Sequence, residues 1–290
     1  VRRLPALAVA FALALIVGCD AHAPLSASAE GSPRRIVSLA PALTEILFAL
    51  DLGDRVVGVT SFCDWPPEAT KKARVGGYAD PSVETILALR PDLVVVSPGP
   101  GNRDAALVLE RAGIRVQVVP AETLAETLAA FEIVARAAGV PERGTRLATD
   151  VRSTLDAVAA RVAAEPKVPS LFCVQTDPVI VAGTGTLPSE LLEIAGGRNV
   201  VTIPRYPRLG IETVLQLAPA VILQSRMDAP EPGSEGSEAA FWKRWSAIPA
   251  VSERKVYVLD NPLALRPGPR VGEAAEQLAE LLHPAARSGR

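Results

Sequence analysis

Histidines and cysteines, the side chains that most often serve as catalytic bases, nucleophiles and transition-metal ligands, are few in this sequence. Its two histidines are His22, in a stretch rich in Ala and Ser, and His283, near the C-terminus. Neither a Ser-His-Asp nor a Cys-His centre therefore has an evident base. The same scarcity argues against histidine-ligated zinc or manganese and against histidine as an axial metal ligand. Of the three cysteines, Cys19 ends an apolar run, Cys63 falls in a loop where a ligand could approach, and Cys173 lies inside the apolar run Leu171–Val174. Two separated cysteines make a poor metal site, and Cys63 and Cys173 are expected to stay unpaired. Gly183-Thr-Gly185 lacks the remaining glycine spacing of a dinucleotide loop, and no phosphate-binding loop ends in Lys-Ser or Lys-Thr. The expectation is a protein that is not an enzyme, with no cofactor and no metal site.

What remains is the chemistry of binding. Aromatic residues make up 4% of the chain, yet Phe62, Trp65, Tyr78 and Tyr206 all follow predicted strands, where loops of facing α/β lobes would line a cleft. For Trp65, beside Pro66 and Pro67, packing against its own lobe is the favoured reading. Pro41 and Ala42, at the tip of the first strand, are candidate backbone contacts. Arg266 and Arg270 can reach ligand amides or a phosphate, or can order their own loop. Trp242 and Trp245, at helical spacing, read as packing residues. A net charge of −2 gives no basic face for nucleic acid.

The elements that must position these residues alternate between β-branched runs and helical patterns, as in βαβ units. Strands are predicted at 35–39, 55–59, 93–97 and 116–119, and again at 170–174, 179–181, 221–224 and 255–259. Helices are predicted at 43–50, 83–89, 105–112 and 124–138, then at 188–195, 211–217, 239–245 and 271–282. Between the halves, Leu147, Val151, Leu155, Val158 and Val162 recur at helical spacing, with Pro141 and Pro166 as boundaries. The predicted fold is α/β: two similar lobes with parallel central sheets, 34–140 and 167–290, joined by one long α-helix over 141–166. A length of 290 residues suits two such lobes. An internal repeat supports the reading, because the segment from Glu84 to Ser97 aligns without gaps on that from Glu212 to Ser225. A weaker echo pairs Thr44-Glu-Ile-Leu with Ser189-Glu-Leu-Leu, both read as capped helix starts.

The N-terminus carries an address. Arg2 and Arg3 precede an apolar run from Leu4 to Val17, too short for a comfortable span and suited to a signal peptide over 1–18. Its end, Ile16-Val-Gly-Cys19, resembles the lipobox of bacterial lipoproteins, so Cys19 is the expected lipidation site. Residues 19–33 read as a tether rich in Ala, Ser, Gly and Pro. The expected location is the periplasm or cell surface, with a lipid anchor at the membrane.

Several stretches then resemble the cobalamin-binding periplasmic proteins of ABC importers. They are Arg35-Ile-Val-Ser-Leu-Ala-Pro-Ala-Leu-Thr-Glu, Val57-Gly-Val-Thr-Ser-Phe-Cys-Asp-Trp-Pro-Pro-Glu-Ala, Val75-Gly-Gly-Tyr, Ala195-Gly-Gly-Arg-Asn-Val, Tyr206-Pro and Arg266-Pro-Gly-Pro-Arg270. The resemblance spans Arg34 to Pro284 and implies the helical-backbone periplasmic binding protein fold, shared with siderophore and haem binding proteins. It implies a monomer that captures cobalamin or another corrinoid with Phe62, Tyr78 and Tyr206 as ring contacts. Ser97, Ile180 and Leu263 stand where some relatives carry further aromatics. It further implies that Glu84 and Glu212 dock to arginines of a permease driven by its ATPase; from the residues alone each complements a helix dipole, worth about 0.3–1 kcal/mol. The alternatives are a ferric siderophore or haem as cargo, and an envelope enzyme on a two-lobe scaffold.

Overall fold

Short β-branched runs that read as continuous apolar segments become strands covered on both faces. The computed structural model describes residues 32–226, 237–259 and 263–286. The signal segment, Cys19 and most of the tether lie outside the described residues. From Ser32 onward the chain clusters as one compact unit. Strands β1 (Ile36–Ser38), β2 (Val56–Val59), β3 (Ala73–Arg74), β4 (Leu93–Val96) and β5 (Arg115–Val118) form a sheet ordered β3-β2-β1-β4-β5. Every pair in it is parallel. Strands β6 (Val168–Thr176), β7 (Val179–Val181), β8 (Gly197–Asn199), β9 (Val221–Ser225) and β10 (Val256–Leu259) form a second, ordered β10-β9-β6-β7 with β8 also on β6.

The second sheet departs from the expectation of parallel strands in one place, because β7 runs antiparallel to β6. Asp177 and Pro178 alone separate the two strands, and a parallel return needs a crossover of a dozen residues or more. Strands β3 and β8 were not expected; each is too short, and β8 too polar, to leave a pattern.

The connecting helices are α1 (Pro41–Ala49), α2 (Val83–Ala88), α3 (Pro100–Arg111), α4 (Leu124–Ala137), α5 (Pro141–Val162), α6 (Leu187–Ile194), α7 (Ile211–Leu217), α8 (Ser237–Lys243), α9 (Pro249–Ser252) and α10 (Val271–Leu282). The long predicted helix is α5. Val151, Leu155, Val158 and Val162 are buried on one stripe, each worth about 1.5–3 kcal/mol when fully covered. It packs on α4 and α10, and all three feed one core shared with β1, β4, β6 and β9. Helix α4 starts with a capping box: the Thr123 hydroxyl accepts from Glu126 N, and the Glu126 carboxylate accepts from Thr123 N.

The internal repeat is structural. Its two copies become α2–β4 and α7–β9, and the aligned residues Arg90 and Ala218 both take φ 45° before Pro91 and Pro219. The weaker echo holds differently from expectation. Thr44 and Ser189 are not N-caps but lie inside their helices, whose N-caps are Ala40 and Thr186. Pro41 at the first helical position and Thr186, whose hydroxyl accepts from Ser189 N, place the starts earlier. Trp242 packs as expected: it is 1% exposed and donates Nε1 to Gln224 Oε1 at 3.0 Å.

Candidate ligand-binding site

Residues that could meet a ligand all follow carboxyl ends of strands: Pro41 and Ala42 after β1, Phe62 after β2, Tyr78 after β3, Tyr206 after β8, Arg266 after β10. In open α/β sheets that edge is where ligands bind. Phe62, Trp65, Tyr78 and Tyr206 are 60%, 45%, 41% and 45% exposed, against a rule that large aromatics are covered. Ser61 joins two of their loops, its N and Oγ both donating to Gly76 O at 2.9 and 3.1 Å, which places Phe62 near the strand end that carries Tyr78. Beside them, the carboxyl end of β4 opens on a depression of ≈ 790 Å³ lined by Ser97, Gly99, Asn102, Leu107 and Val118.

The halves meet through polar contacts between these same loops. At one end, Arg266 forks onto Asp64, Nη1 to Oδ1 at 2.6 Å and Nη2 to Oδ2 at 2.9 Å. Arg270 forks onto Glu45 with Nε at 2.9 Å and Nη2 at 2.6 Å, while Arg266 Nη1 reaches Glu45 at 3.5 Å. The Glu45 side chain is 3% exposed, those of Arg270 and Arg266 12% and 24%, and that of Asp64 62%. The result is two carboxylates and two guanidiniums in one chain of fork pairs, graded from a buried core to a wet rim. The Arg266 guanidinium holds the Asp64 carboxyl below the usual carboxylate range, and Asp64 in turn raises Arg266.

At the other end, Glu122 pairs with Arg205, and Glu190 Oε2 accepts from Leu124 N at 2.5 Å. The latter satisfies one of the free donors at the start of α4. Glu45 and Glu190 are the equivalent acids of the weaker echo, and each crosses to the opposite half. Tyr206 adjoins Arg205 here, and burial pushes its hydroxyl up. Among the described residues no ring contact joins it to Phe62 or Tyr78.

Three expectations change. Ala42 is 7% exposed because Gly268 sits over it, where a Cβ would lie 3.6 Å from Ala42 O. Cys63 is in a loop but fully buried, its Sγ 3.1 Å from Thr44 Oγ1 and 3.2 Å from Thr60 Oγ1, so it faces no ligand. Trp65 does not pack only on its own half: the Arg270 guanidinium lies 4.7 Å from its ring centroid. Arg266 and Arg270 order their loop through Glu45 and Asp64, two acids that sequence reading passed over. Glu45 had a signal, an acid inside the apolar run Ala42–Leu50, whereas Asp64 had none. Cys173 is buried as expected, which raises its thiol to about 12. Glu84 and Glu212 are exposed in the first turns of α2 and α7.

Two sheets presenting aromatic and charged loops at their carboxyl ends have the architecture of a solute-binding protein. The chain belongs to the periplasmic binding protein family, whose model matches residues 36–263. It is 32% identical over 253 residues to the vitamin B12-binding protein of Vibrio cholerae, covering 86% of this chain and 88% of that protein. It is 33% identical over 263 residues to YvrC of Bacillus subtilis, named an uncharacterized ABC transporter substrate-binding lipoprotein, covering 87% and 81%. Similar solved structures include the vitamin B12-binding protein BtuF of Vibrio cholerae, with TM-score 0.74, 31% identity, and 89% and 99% of the two chains covered. The haem-binding protein RhuT from Roseiflexus sp. RS-1 in its apo form reaches TM-score 0.78 at 31% identity, covering 89% and 100%. One fold thus serves two cargo classes at equal identity, and the cargo has to be argued from the site.

Proposed function

We propose that this chain is the substrate-binding lipoprotein of an ABC importer and captures cobalamin or a related corrinoid between its two halves. The observation that carries the cargo is electrostatic. A corrin is a broad, largely apolar ring fringed with neutral amides, whereas haem and many ferric chelates bring carboxylates or other anionic donors. At the end of the site that carries Phe62 and Trp65, Arg266 and Arg270 are already matched by Asp64 and Glu45, leaving that cluster net neutral, beside aromatics that stay exposed. In this reading residues 1–18 are a signal peptide, Cys19 carries lipid, 19–33 is a tether, and lobes 34–140 and 167–290 flank the helix segment 141–166. Phe62, Tyr78 and Tyr206 contact the ring, with Pro41 and Arg266 at its edge, and Glu84 and Glu212 dock to the permease.

Calorimetric titration with cyanocobalamin, with hemin and a ferric hydroxamate in parallel, tests the assignment. The expected result is one-to-one binding of cyanocobalamin alone; binding of hemin or the hydroxamate instead refutes the cargo. Replacing Tyr78 and Tyr206 together with alanine is expected to weaken cyanocobalamin binding at least about tenfold, since each stacked aromatic contributes about 1 kcal/mol. An unchanged isotherm would remove both from the site.

A further inference from the structure

Asp64 stands out among the acids that bridge the halves, because it is the exposed member of an otherwise covered network. Its side chain is 62% exposed while that of its partner Arg266 is 24% exposed. Arg266 sends one donor from each terminal nitrogen to Asp64, at 2.6 and 2.9 Å, so the Nη1–Nη2 edge of its planar fork is occupied. Its remaining contact, 3.5 Å to Glu45, turns inward. Arg270 is committed to Glu45 by a second fork, so no spare guanidinium stands behind to balance a further anion. The next residues on either side of Asp64 are the buried Cys63 and Trp65, the latter lying against Arg270. The Asp64 backbone is thereby held beside Arg266.

We propose that Asp64 is a specificity-determining residue that caps Arg266 and excludes carboxylate-bearing ligands from a site selective for neutral amides. The proposal rests on the corrinoid reading and deepens it. An anion approaching Arg266 has to displace a bidentate carboxylate and accept the repulsion of that carboxylate once freed. An amide meets no such penalty, because its N–H groups can donate to Asp64 and its carbonyl asks little of Arg266. Without the Asp64 charge the same network carries one net positive charge, the condition that attracts a propionate.

The probe that isolates this charge is cyanocobalamin compared with its monocarboxylic acid, in which one peripheral propionamide is hydrolysed to a carboxylate. Both are titrated against the purified full chain and against Asp64→Asn, which keeps size and a hydrogen-bonding oxygen. The unmodified protein is expected to prefer the amide by about tenfold or more, the scale of one charge-assisted hydrogen bond. In Asp64→Asn the preference is expected to fall to within about twofold, through a gain in affinity for the acid. A preference that survives the substitution, or that narrows only through weaker binding of the amide, overturns the proposal. Hemin separates this failure from failure of the cargo assignment. If the unmodified protein does not bind cyanocobalamin, the corrinoid reading fails, and Asp64→Asn must still bind hemin about tenfold tighter than the parent for the cap to stand. Asp64→Ala, with its thermal midpoint recorded, serves as the second variant: the same gain for anions supports the cap, and its absence in a folded protein refutes it.

Discussion

Glu45 is the residue on which the most charge depends. Its carboxylate is 3% exposed and receives Arg270 in a two-point fork, with Arg266 at 3.5 Å. Removing one partner of a covered pair leaves the other charge desolvated and uncompensated, which costs more than the pair itself contributes. Glu45→Ala is expected to lower unfolding free energy by about 3 kcal/mol, read from urea midpoints; a loss below about 1 kcal/mol would mean that water reaches both arginines. Asp64 behaves differently because it is wet. Its carboxyl sits below the ordinary range through the Arg266 hydrogen bonds, so its contribution is complete above the unfolded value near 3.9 and is lost as pH falls through the folded value. With 62% of the side chain exposed, that contribution is about 1 kcal/mol or less. Between pH 6 and pH 3 (~3 pH units), Asp64→Asn is expected to lose slightly less stability than the parent. Equal losses would show that the pair does not persist in solution.

At the level of elements, the contact between α4 and α5 sets how closely the halves' shared core closes. Gly144 lies one turn into α5, and a Cβ there would meet Ala135 Cβ at 2.5 Å and Phe131 O at 2.8 Å. Alanine is the better helix former by about 1 kcal/mol, but overpacking at a close crossing costs about 1–3 kcal/mol. The steric cost wins, so Gly144→Ala is expected to lower the thermal midpoint by about 2–4 °C; a higher midpoint would mean that the two helices separate freely. The sequence made α5 legible because five apolar residues keep helical phase between two prolines. The bounds of β7, α7 and α10 were equally plain, set by dense apolar patterns and clear stops. Helix α3 begins at Pro100, five residues before the expected Ala105, because a Pro-Gly-Asn start has no apolar periodicity. The antiparallel β7 was hidden for another reason: strand direction depends on a turn two residues long, not on the strand's own pattern. At the site, exposed aromatics after strands were readable by position, but Glu45 and Asp64 were not. Which acid meets which arginine is decided by the packing of segments some 200 residues apart, as with the 202 between Asp64 and Arg266.

Across the whole molecule, the internal repeat gives the two halves corresponding outer features. Glu84 and Glu212 occupy the same repeat position, open α2 and α7, and are exposed. Neither forms an ion pair or a side-chain hydrogen bond among the described residues, whereas their counterparts at the site, Glu45, Asp64, Glu122 and Glu190, are all engaged. A carboxylate held at a helix start and left without a partner is suited to a guanidinium supplied by another protein. Each glutamate opens a helix six residues beyond a site aromatic, Glu84 after Tyr78 and Glu212 after Tyr206. The proposed docking role predicts that loss of these carboxylates affects delivery and not capture of cargo. Replacing both glutamates with alanine is expected to abolish cobalamin uptake by whole cells while changing the affinity of the purified chain less than about twofold, each site losing only a helix-dipole contribution of about 0.3–1 kcal/mol in stability. Either single replacement is expected to leave partial uptake, because one of the two proposed docking carboxylates survives. Normal uptake in the double variant would place the permease contact on another face, and a large fall in affinity would move these carboxylates from docking to cargo.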